Sequence, residues 1–236
     1  MSRAGRFAIW PSREASVSAA TLAREMAAVA QTTLAPPPFA EDAVQGDGQP
    51  VIVLPGFLSP DVTTARLRQF LGLQNFTPYA WTCGLNIGPM PNVLREVERQ
   101  VREVADVAGR PVSLVGVSLG GTIAREIAKS YPDSIARVIT LVSPLHLPVV
   151  TPLAPLAQAA ALLWNMEELD ALGSIAEPPP VPVTAIVSRD DGVIDWRAAV
   201  PPQSAMVEVV EVSGPHMTVC SNPQVQHIVA DRLARS

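Results

Sequence analysis

The segment Gly-Val-Ser-Leu-Gly-Gly at residues 116–121 gives the clearest chemical signal in this sequence. An apolar run at residues 112–117 leads into Ser118, and a helix-like pattern follows it. A serine on a sharp turn between a strand and a helix is lifted above the sheet, where its hydroxyl can attack a carbonyl. Gly116 and Gly120 remove side chains that would collide with the neighbouring strand and helix. We therefore predict that Ser118 is a nucleophile, rather than a loop serine between tightly packed glycines.

Attack on a carbonyl creates a negatively charged oxygen, which backbone N–H donors can stabilise. Leu119, directly after the nucleophile, supplies the first donor. The second donor is expected from a loop that follows an earlier strand, and the segment Leu-Pro-Gly-Phe at residues 54–57 is in that position. Gly56 lets the backbone approach the substrate, so we predict the N–H of Phe57 as the second donor and Phe57 as a substrate contact. The alternative is that Pro-Gly only forms a turn.

The sequence has three histidines, so the choice of a base is narrow. His216 lies between the last strand-like run and the last helix-like pattern, at the edge of a parallel sheet where ligands bind. We predict that His216 is the general base. His227 falls inside the last helix and is predicted to be a surface residue, while His146 opens an insert and is predicted as a substrate contact.

The acid that orients the base is expected in a loop after a strand, between Ser118 and His216 in chain order. The segment 188–195 follows such a strand and contains three aspartates, which are Asp190, Asp191 and Asp195. Asp191 stands immediately before a glycine that permits a turn toward the core, so we predict it as the acid. Asp190 is predicted to point away, and Asp195 is predicted to cap a helix. An Asp-Gly turn without function is the simpler alternative.

The elements that position these residues alternate along the chain. Strand-like runs are found at residues 51–54, 79–81, 112–117, 137–142, 181–188 and 207–212, with helix-like patterns at 61–73, 92–108, up to Tyr131 and at 223–234. Asp61 is predicted to be the N-cap of the first of these helices. The alternation predicts an α/β protein with a mostly parallel central sheet and helices on both faces.

Proline runs among the 24 prolines divide the chain, because proline is excluded from helix interiors and central strands. We predict an N-terminal arm with a helix at residues 1–49 and a main domain at 50–236. The segment 146–180 is predicted to be a small helical cap insert. Its residues 155–164 are apolar nearly all round, and Trp164 is predicted to contact the substrate. An ordinary core helix is the alternative for this segment.

Composition excludes several functions. The 236 residues carry a net charge of -5 and no basic run, which argues against a nucleic-acid partner and against attachment to an anionic membrane. No metal is expected, since no zinc-type spacing of ligands is present. No run of 18 apolar residues suggests a membrane span.

Cysteine content and the N-terminus bear on location. Cys83 and Cys220 are predicted to be free thiols, which fits a reducing cytoplasm. Residues 15–31 are rich in alanine but are interrupted by Arg24 and Glu25, which argues against a signal peptide. The oligomeric state stays open.

Four motifs resemble those of the α/β-hydrolase superfamily, and within it the serine esterases and lipases. In chain order across residues 51–223 they read VIVLPGF, GVSLGG, VSRDDGVIDW and SGPHMTVCSNP. The resemblance implies the α/β-hydrolase fold, a Ser118–Asp191–His216 triad, an acyl-enzyme and no cofactor. PGF stands where many lipases have His-Gly and an apolar residue, which removes a histidine but keeps the backbone donor. A serine nucleophile argues against the dehalogenase and epoxide-hydrolase members, which use aspartate.

The expected activity is hydrolysis of small carboxylic esters with an apolar acyl group. Two alternatives stay open, an acyltransferase that uses the same triad and a non-catalytic binding protein with this fold. The sequence leaves undecided the acyl chain length, the alcohol, and the choice between ester, thioester and amide.

Overall fold

The computed structural model describes residues 17–145, 151–156 and 176–235. Within these residues a six-stranded sheet has the order β2-β1-β3-β4-β5-β6, and all neighbouring strands are parallel. The strands are β1 (Pro50–Leu54), β2 (Thr77–Tyr79), β3 (Val112–Val117), β4 (Ile135–Leu141), β5 (Val183–Ser188) and β6 (Val207–Val212). The predicted parallel sheet is thereby confirmed.

Helices cover both faces of this sheet. In the described ranges the helices of two or more turns are α1 (Ala19–Leu34), α2 (Ala65–Leu73), α3 (Pro91–Ala108), α4 (Leu119–Ser130) and α5 (Pro223–Leu233). Side chains alternate across a strand, so Val51 and Val53 of β1 pack with residues of α2 and α5. Ile52 and Leu54 of the same strand pack with residues of α3 and α4 on the other face. The predicted fold class, α/β with helices on both faces, is therefore also confirmed.

Two local predictions are wrong. The second strand comprises Thr77–Tyr79 rather than residues 79–81, and Trp81 instead buries its ring in the core beside α3. Asp61 is not an N-cap, because it lies inside a short 3-10 helix (Asp61–Thr64) that precedes α2. Its carboxylate pairs with Arg68 at 2.6 Å and accepts a 2.8 Å hydrogen bond from the Trp81 N–H. Long-range pairing has replaced the local cap that the sequence suggested.

Helix α1 lies within the predicted N-terminal arm. It begins with a capping box, in which the side chains of Ser18 and Thr21 bond to each other's backbone N–H. Its two buried residues, Thr21 and Glu25, are both polar. The Thr21 hydroxyl donates a 2.8 Å hydrogen bond to the Gly192 carbonyl, so the helix packs on the loop after β5.

Only the ends of the predicted cap insert, 146–180, lie within the described residues. The far end is held by Arg125 of α4, a fully buried side chain that donates 3.0 Å hydrogen bonds to the carbonyls of Ala176 and Glu177. Burial lowers the pKa of this guanidinium. In the part of the chain that the structure describes, none of the helices has both the length and the apolar character needed to span a bilayer.

Candidate active site

Ser118 lies on a strained turn between β3 and α4. Its backbone has φ 49° and ψ -122°, a conformation that side-chain-bearing residues rarely adopt. The Ser118 N–H donates a 2.8 Å hydrogen bond to the Leu141 carbonyl of β4, which fixes the turn. A Cβ atom at Gly120 would lie 2.5 Å from the backbone oxygens of Leu54 and Pro55, so only glycine permits this approach to β1. Strain held by surrounding structure in this way is typical of functional sites.

Two backbone N–H groups beside Ser118 are free to bind an anion. Leu119 is the first residue of α4, where a helix leaves its N–H without an internal partner. Phe57 follows β1 in a turn, and neither N–H donates to any group within the described ranges. The two loops are adjacent, because a Cβ at Gly56 would lie 3.4 Å from the Ser118 Cβ. The arrangement therefore offers open donors at both positions that the sequence suggested.

A buried asparagine supports the loop that carries Phe57. Asn86 is completely buried, and its side-chain amide donates a 2.7 Å hydrogen bond to the Pro55 carbonyl. Its backbone carbonyl accepts a 2.8 Å bond from the Leu58 N–H. Sequence reasoning missed this residue, because no motif surrounds it.

Asp191 and His216 are hydrogen-bonded to each other. Asp191 Oδ2 lies 2.6 Å from His216 Nδ1, and only 1% and 7% of the two side chains is exposed. The other carboxylate oxygen accepts 2.8 Å bonds from the N–H groups of Val193 and Ile194. An ionised carboxylate only accepts hydrogen bonds, so in the neutral form of His216 this contact places the proton on Nδ1 and leaves Nε2 as an acceptor.

The other two aspartates of the loop have different partners. Asp190 accepts a 3.0 Å hydrogen bond from the Gly214 N–H at the protein surface. Asp195 accepts a 3.0 Å bond from the Arg197 N–H and is the N-cap of a short 3-10 helix (Trp196–Ala199), as predicted. Of the three, Asp191 is the one that contacts the His216 ring.

Of the two other histidines and Trp164, the structure describes only His227. His227 is exposed on α5, as the sequence suggested. His146 and Trp164, the predicted substrate contacts in the insert, lie outside the described residues, so their roles stay predictions.

A cavity of about 510 Å³ joins the candidate residues. Ser118, His216, Phe57 and Leu119 all line it, and most of its surface is apolar. Helix α1 forms part of the wall with Val29, Thr32 and Thr33. The described atoms place no hydrogen bond between the Ser118 hydroxyl and His216, and such contacts often tighten only with a bound substrate.

Burial suppresses the reactivity of both thiols in the described structure. Cys83 and Cys220 are both free, as predicted. Cys220 lines the cavity, but burial raises its pKa to about 12, so it stays protonated at neutral pH. Burial also raises the pKa of Cys83. Among the residues described, no group of three His, Cys, Asp or Glu side chains is arranged to hold a metal ion.

Glu25 is a site residue that sequence reasoning missed. Its buried carboxylate accepts 2.8 Å hydrogen bonds from the backbone N–H groups of Gly192, His216 and Met217. In the sequence it only interrupts an alanine-rich stretch. The available signal in the sequence was spacing. Glu25 lies at helical spacing from both Thr21 and Val29, so the three residues share one face of the helix.

Comparison with known proteins agrees with this architecture. The family described as alpha/beta hydrolase fold matches residues 108–177. No curated protein matches the chain. The structure resembles Paleococcus ferrophilus monoacylglycerol lipase at 16% identity and a TM-score of 0.55, covering 81% of this chain and 95% of the lipase.

Two further structures share the fold. Aspergillus fumigatus lipase B is 19% identical with a TM-score of 0.65, over 84% of this chain and 56% of the lipase. Mouse alpha/beta hydrolase domain-containing protein 10 is 17% identical with a TM-score of 0.54, over 81% of this chain and 90% of the mouse protein. These matches show that the chain has the α/β-hydrolase fold.

Proposed function

We propose that this protein is a serine hydrolase that cleaves carboxylic esters with an apolar acyl group. Ser118 is the nucleophile, His216 the general base and Asp191 the acid that orients it. The observation that supports this most directly is the buried 2.6 Å hydrogen bond between Asp191 and His216, beside a cavity that Ser118 also lines. Two of the matched structures are named lipases, which agrees with this reaction class.

The first half of the reaction forms an acyl-enzyme. His216 Nε2 takes the proton of the Ser118 hydroxyl while the oxygen attacks the ester carbonyl. The N–H groups of Leu119 and Phe57 stabilise the oxyanion, and removal of one such donor typically costs about 3 kcal/mol. The protonated His216, held by Asp191, then gives its proton to the departing alcohol.

The second half releases the acid. Water takes the place of the alcohol, His216 removes its proton, and the oxyanion forms again in the same two donors. Collapse of this intermediate breaks the bond between the acyl carbon and Ser118, whose oxygen recovers the proton from His216. Apart from the substrate and water, all groups in these steps belong to the chain, so the proposal needs no metal or cofactor.

The cavity favours a small apolar acyl group. Its volume of about 510 Å³ lies within the roughly 300–1,000 Å³ common for small-molecule sites. Val29, Val62 and Val219 are among the apolar residues that line it. These walls offer contacts to a hydrocarbon chain, although Arg66 also lines the cavity.

Labelling with a fluorophosphonate probe, together with a series of p-nitrophenyl esters, tests the proposal. We expect the probe to react with Ser118, and the esters to be hydrolysed with a preference that depends on acyl length. A folded wild-type protein that neither reacts with the probe nor cleaves any ester would contradict the proposal.

Added alcohol separates hydrolysis from acyl transfer. A primary alcohol in the same assay competes with water for the acyl-enzyme. We expect the free acid as the main product at low millimolar alcohol. A transesterified product in excess under these conditions would assign the chain as an acyltransferase with the same nucleophile.

A further inference from the structure

The carboxylate of Glu25 joins the loop of the acid to the loop of the base. Glu25 Oε1 accepts 2.8 Å hydrogen bonds from the N–H of Gly192, next to Asp191, and from the N–H of His216 itself. Oε2 accepts a third 2.8 Å bond from the Met217 N–H. One side chain of α1 therefore holds the backbone on both sides of the Asp191–His216 hydrogen bond.

The fit between α1 and the acid loop is close. A Cβ atom at Gly192 would come within 2.9 Å of both the Glu25 Cγ and the Thr21 carbonyl oxygen. The Thr21 hydroxyl also donates a 2.8 Å bond to the Gly192 carbonyl. Gly192 therefore permits the turn after Asp191 to approach the helix, and both of its backbone polar groups are bonded to α1.

We propose that Glu25 is a positioning residue for catalysis, which acts by fixing the acid and base loops relative to each other. This inference rests on the proposed function of Ser118, Asp191 and His216. Glu25 does not touch the substrate. It sets the backbone from which the His216 ring and the Asp191 carboxylate project, and so preserves the orientation of Nε2 toward Ser118.

A simple anchor for α1 would not require a carboxylate. Within the described ranges no lysine or arginine pairs with Glu25, and its carboxylate is bonded instead to three backbone N–H groups. Burying a polar group is costly unless it is hydrogen-bonded, and an apolar side chain would anchor the helix without that cost. A carboxylate at this place is explained by what it binds, which is the backbone of the two catalytic loops.

The other links between these loops lie farther from the reacting pair. Asp190 binds the Gly214 N–H in a solvent-exposed position, where hydrogen bonds contribute less. The Ser188 hydroxyl donates a 2.6 Å bond to the Gly214 carbonyl, two residues before His216. Of these contacts, those of Glu25 are the ones that reach the backbone of His216.

Steady-state kinetics of Glu25→Ala and Glu25→Gln test the proposal. Displacement of catalytic groups by about 1 Å costs on the order of 100-fold, so we expect kcat of Glu25→Ala to fall by roughly 100-fold. We expect KM to stay within about threefold, because Glu25 does not line the cavity. Glu25→Gln keeps the shape and one acceptor oxygen but turns an NH₂ group toward an N–H donor, so an intermediate loss is expected.

Two variants of the same helix serve as controls. Ser18→Ala removes the helix cap and lowers the stability of α1 without touching either loop. Arg24→Gln changes the exposed neighbour of Glu25. Both should keep kcat within about twofold of wild type, even where Ser18→Ala lowers Tm.

Proton NMR provides a readout that does not depend on turnover. The proton between His216 Nδ1 and Asp191 should give a downfield resonance in the wild type and in Ser18→Ala, and should shift or broaden in both Glu25 variants. An unchanged resonance together with unchanged kcat would overturn the proposal. If the Glu25→Gln variant does not fold, Glu25 is required for the fold itself, and the proposal is overturned as well. If the wild type shows the resonance but cleaves no ester, the proposed function fails while the NMR comparison still tests Glu25.

Discussion

On the nucleophile side of the candidate site, which comprises Ser118, Leu119 and Phe57, backbone geometry sets the positions. On the acid–base side, which comprises Asp191, His216 and Glu25, the carboxylates of Asp191 and Glu25 set the positions. The first side depends on a strained φ of 49° at Ser118 and on glycines that leave room for it. The second depends on five backbone N–H groups that converge on Asp191 and Glu25.

The difference predicts how each side responds to mutation. Backbone donors such as the Leu119 N–H survive most side-chain changes. The acid–base side instead depends on individual side chains, and Glu25 contacts residues 167 and 191 positions away. Single substitutions on the two sides should therefore differ in the size and in the type of their effect.

Ser118→Ala is expected to have the largest effect. Loss of the nucleophile should lower kcat by about 10⁶-fold, because the members of such a triad act as one unit. Tm should stay level or rise, since the smaller residue removes no packing. Kinetics with p-nitrophenyl esters and probe labelling measure both effects, with Ser130→Ala at the other end of α4 as the control. More than a few per cent of residual activity would remove Ser118 from its proposed role.

Asp191→Asn tests the acid–base side directly. The amide cannot hold the Nδ1 proton in the same way, so kcat should fall by roughly 10³–10⁴ through loss of the correct tautomer. Asp190→Asn and Asp195→Asn are matched controls in the same loop and should stay within about tenfold of wild type. Measuring kcat of all three at pH 8 decides the assignment. If either control is the inactive variant, the acid has been misassigned.

The sequence predicted most of the nucleophile side because its signals are local. Gly116, Ser118 and Gly120 lie within five residues, and buried strands appear as short apolar runs. The same local reading identified Asp191 and His216 as candidates, although their catalytic roles stay predictions. The local reading misplaced the second strand because Trp81 is apolar, as strand residues often are. Trp81 instead lies in the loop after β2 and packs its ring into the core.

Glu25 could not be predicted in this way. Its partners are backbone N–H groups, which every residue except proline has, so no residue type marks them in the sequence. The contacts exist only because β5 and β6 end at the same edge of the sheet, where α1 crosses their loops. Asn86 was missed for the same reason, since its partner is the Pro55 carbonyl.

Asn86→Ala tests the nucleophile side, because it removes the side chain that supports the loop of Phe57. The Pro55 carbonyl would lose its partner, which costs about 1–3 kcal/mol of unfolding free energy for a buried group. The Phe57 donor should also move, so we expect kcat to fall about tenfold. Denaturant unfolding and kcat measure the two effects, with exposed Asn92→Ala as the control. Lost stability with unchanged kcat would show that the loop keeps its place without Asn86.

Val29→Trp should have the smallest effect on catalysis and a clear effect on selectivity. Val29 lies one turn beyond Glu25 on α1 and lines the cavity. A larger side chain there should shorten the space for an acyl chain while it leaves the loops of Asp191 and His216 in place. We expect the ratio of kcat/KM for p-nitrophenyl decanoate to that for acetate to fall about tenfold, within the range that one pocket contact can supply. Met26→Trp, at an exposed position of the same helix, should leave the ratio unchanged. An equal change in both variants, or in neither, would mean that α1 positions the acid–base side without shaping the acyl site.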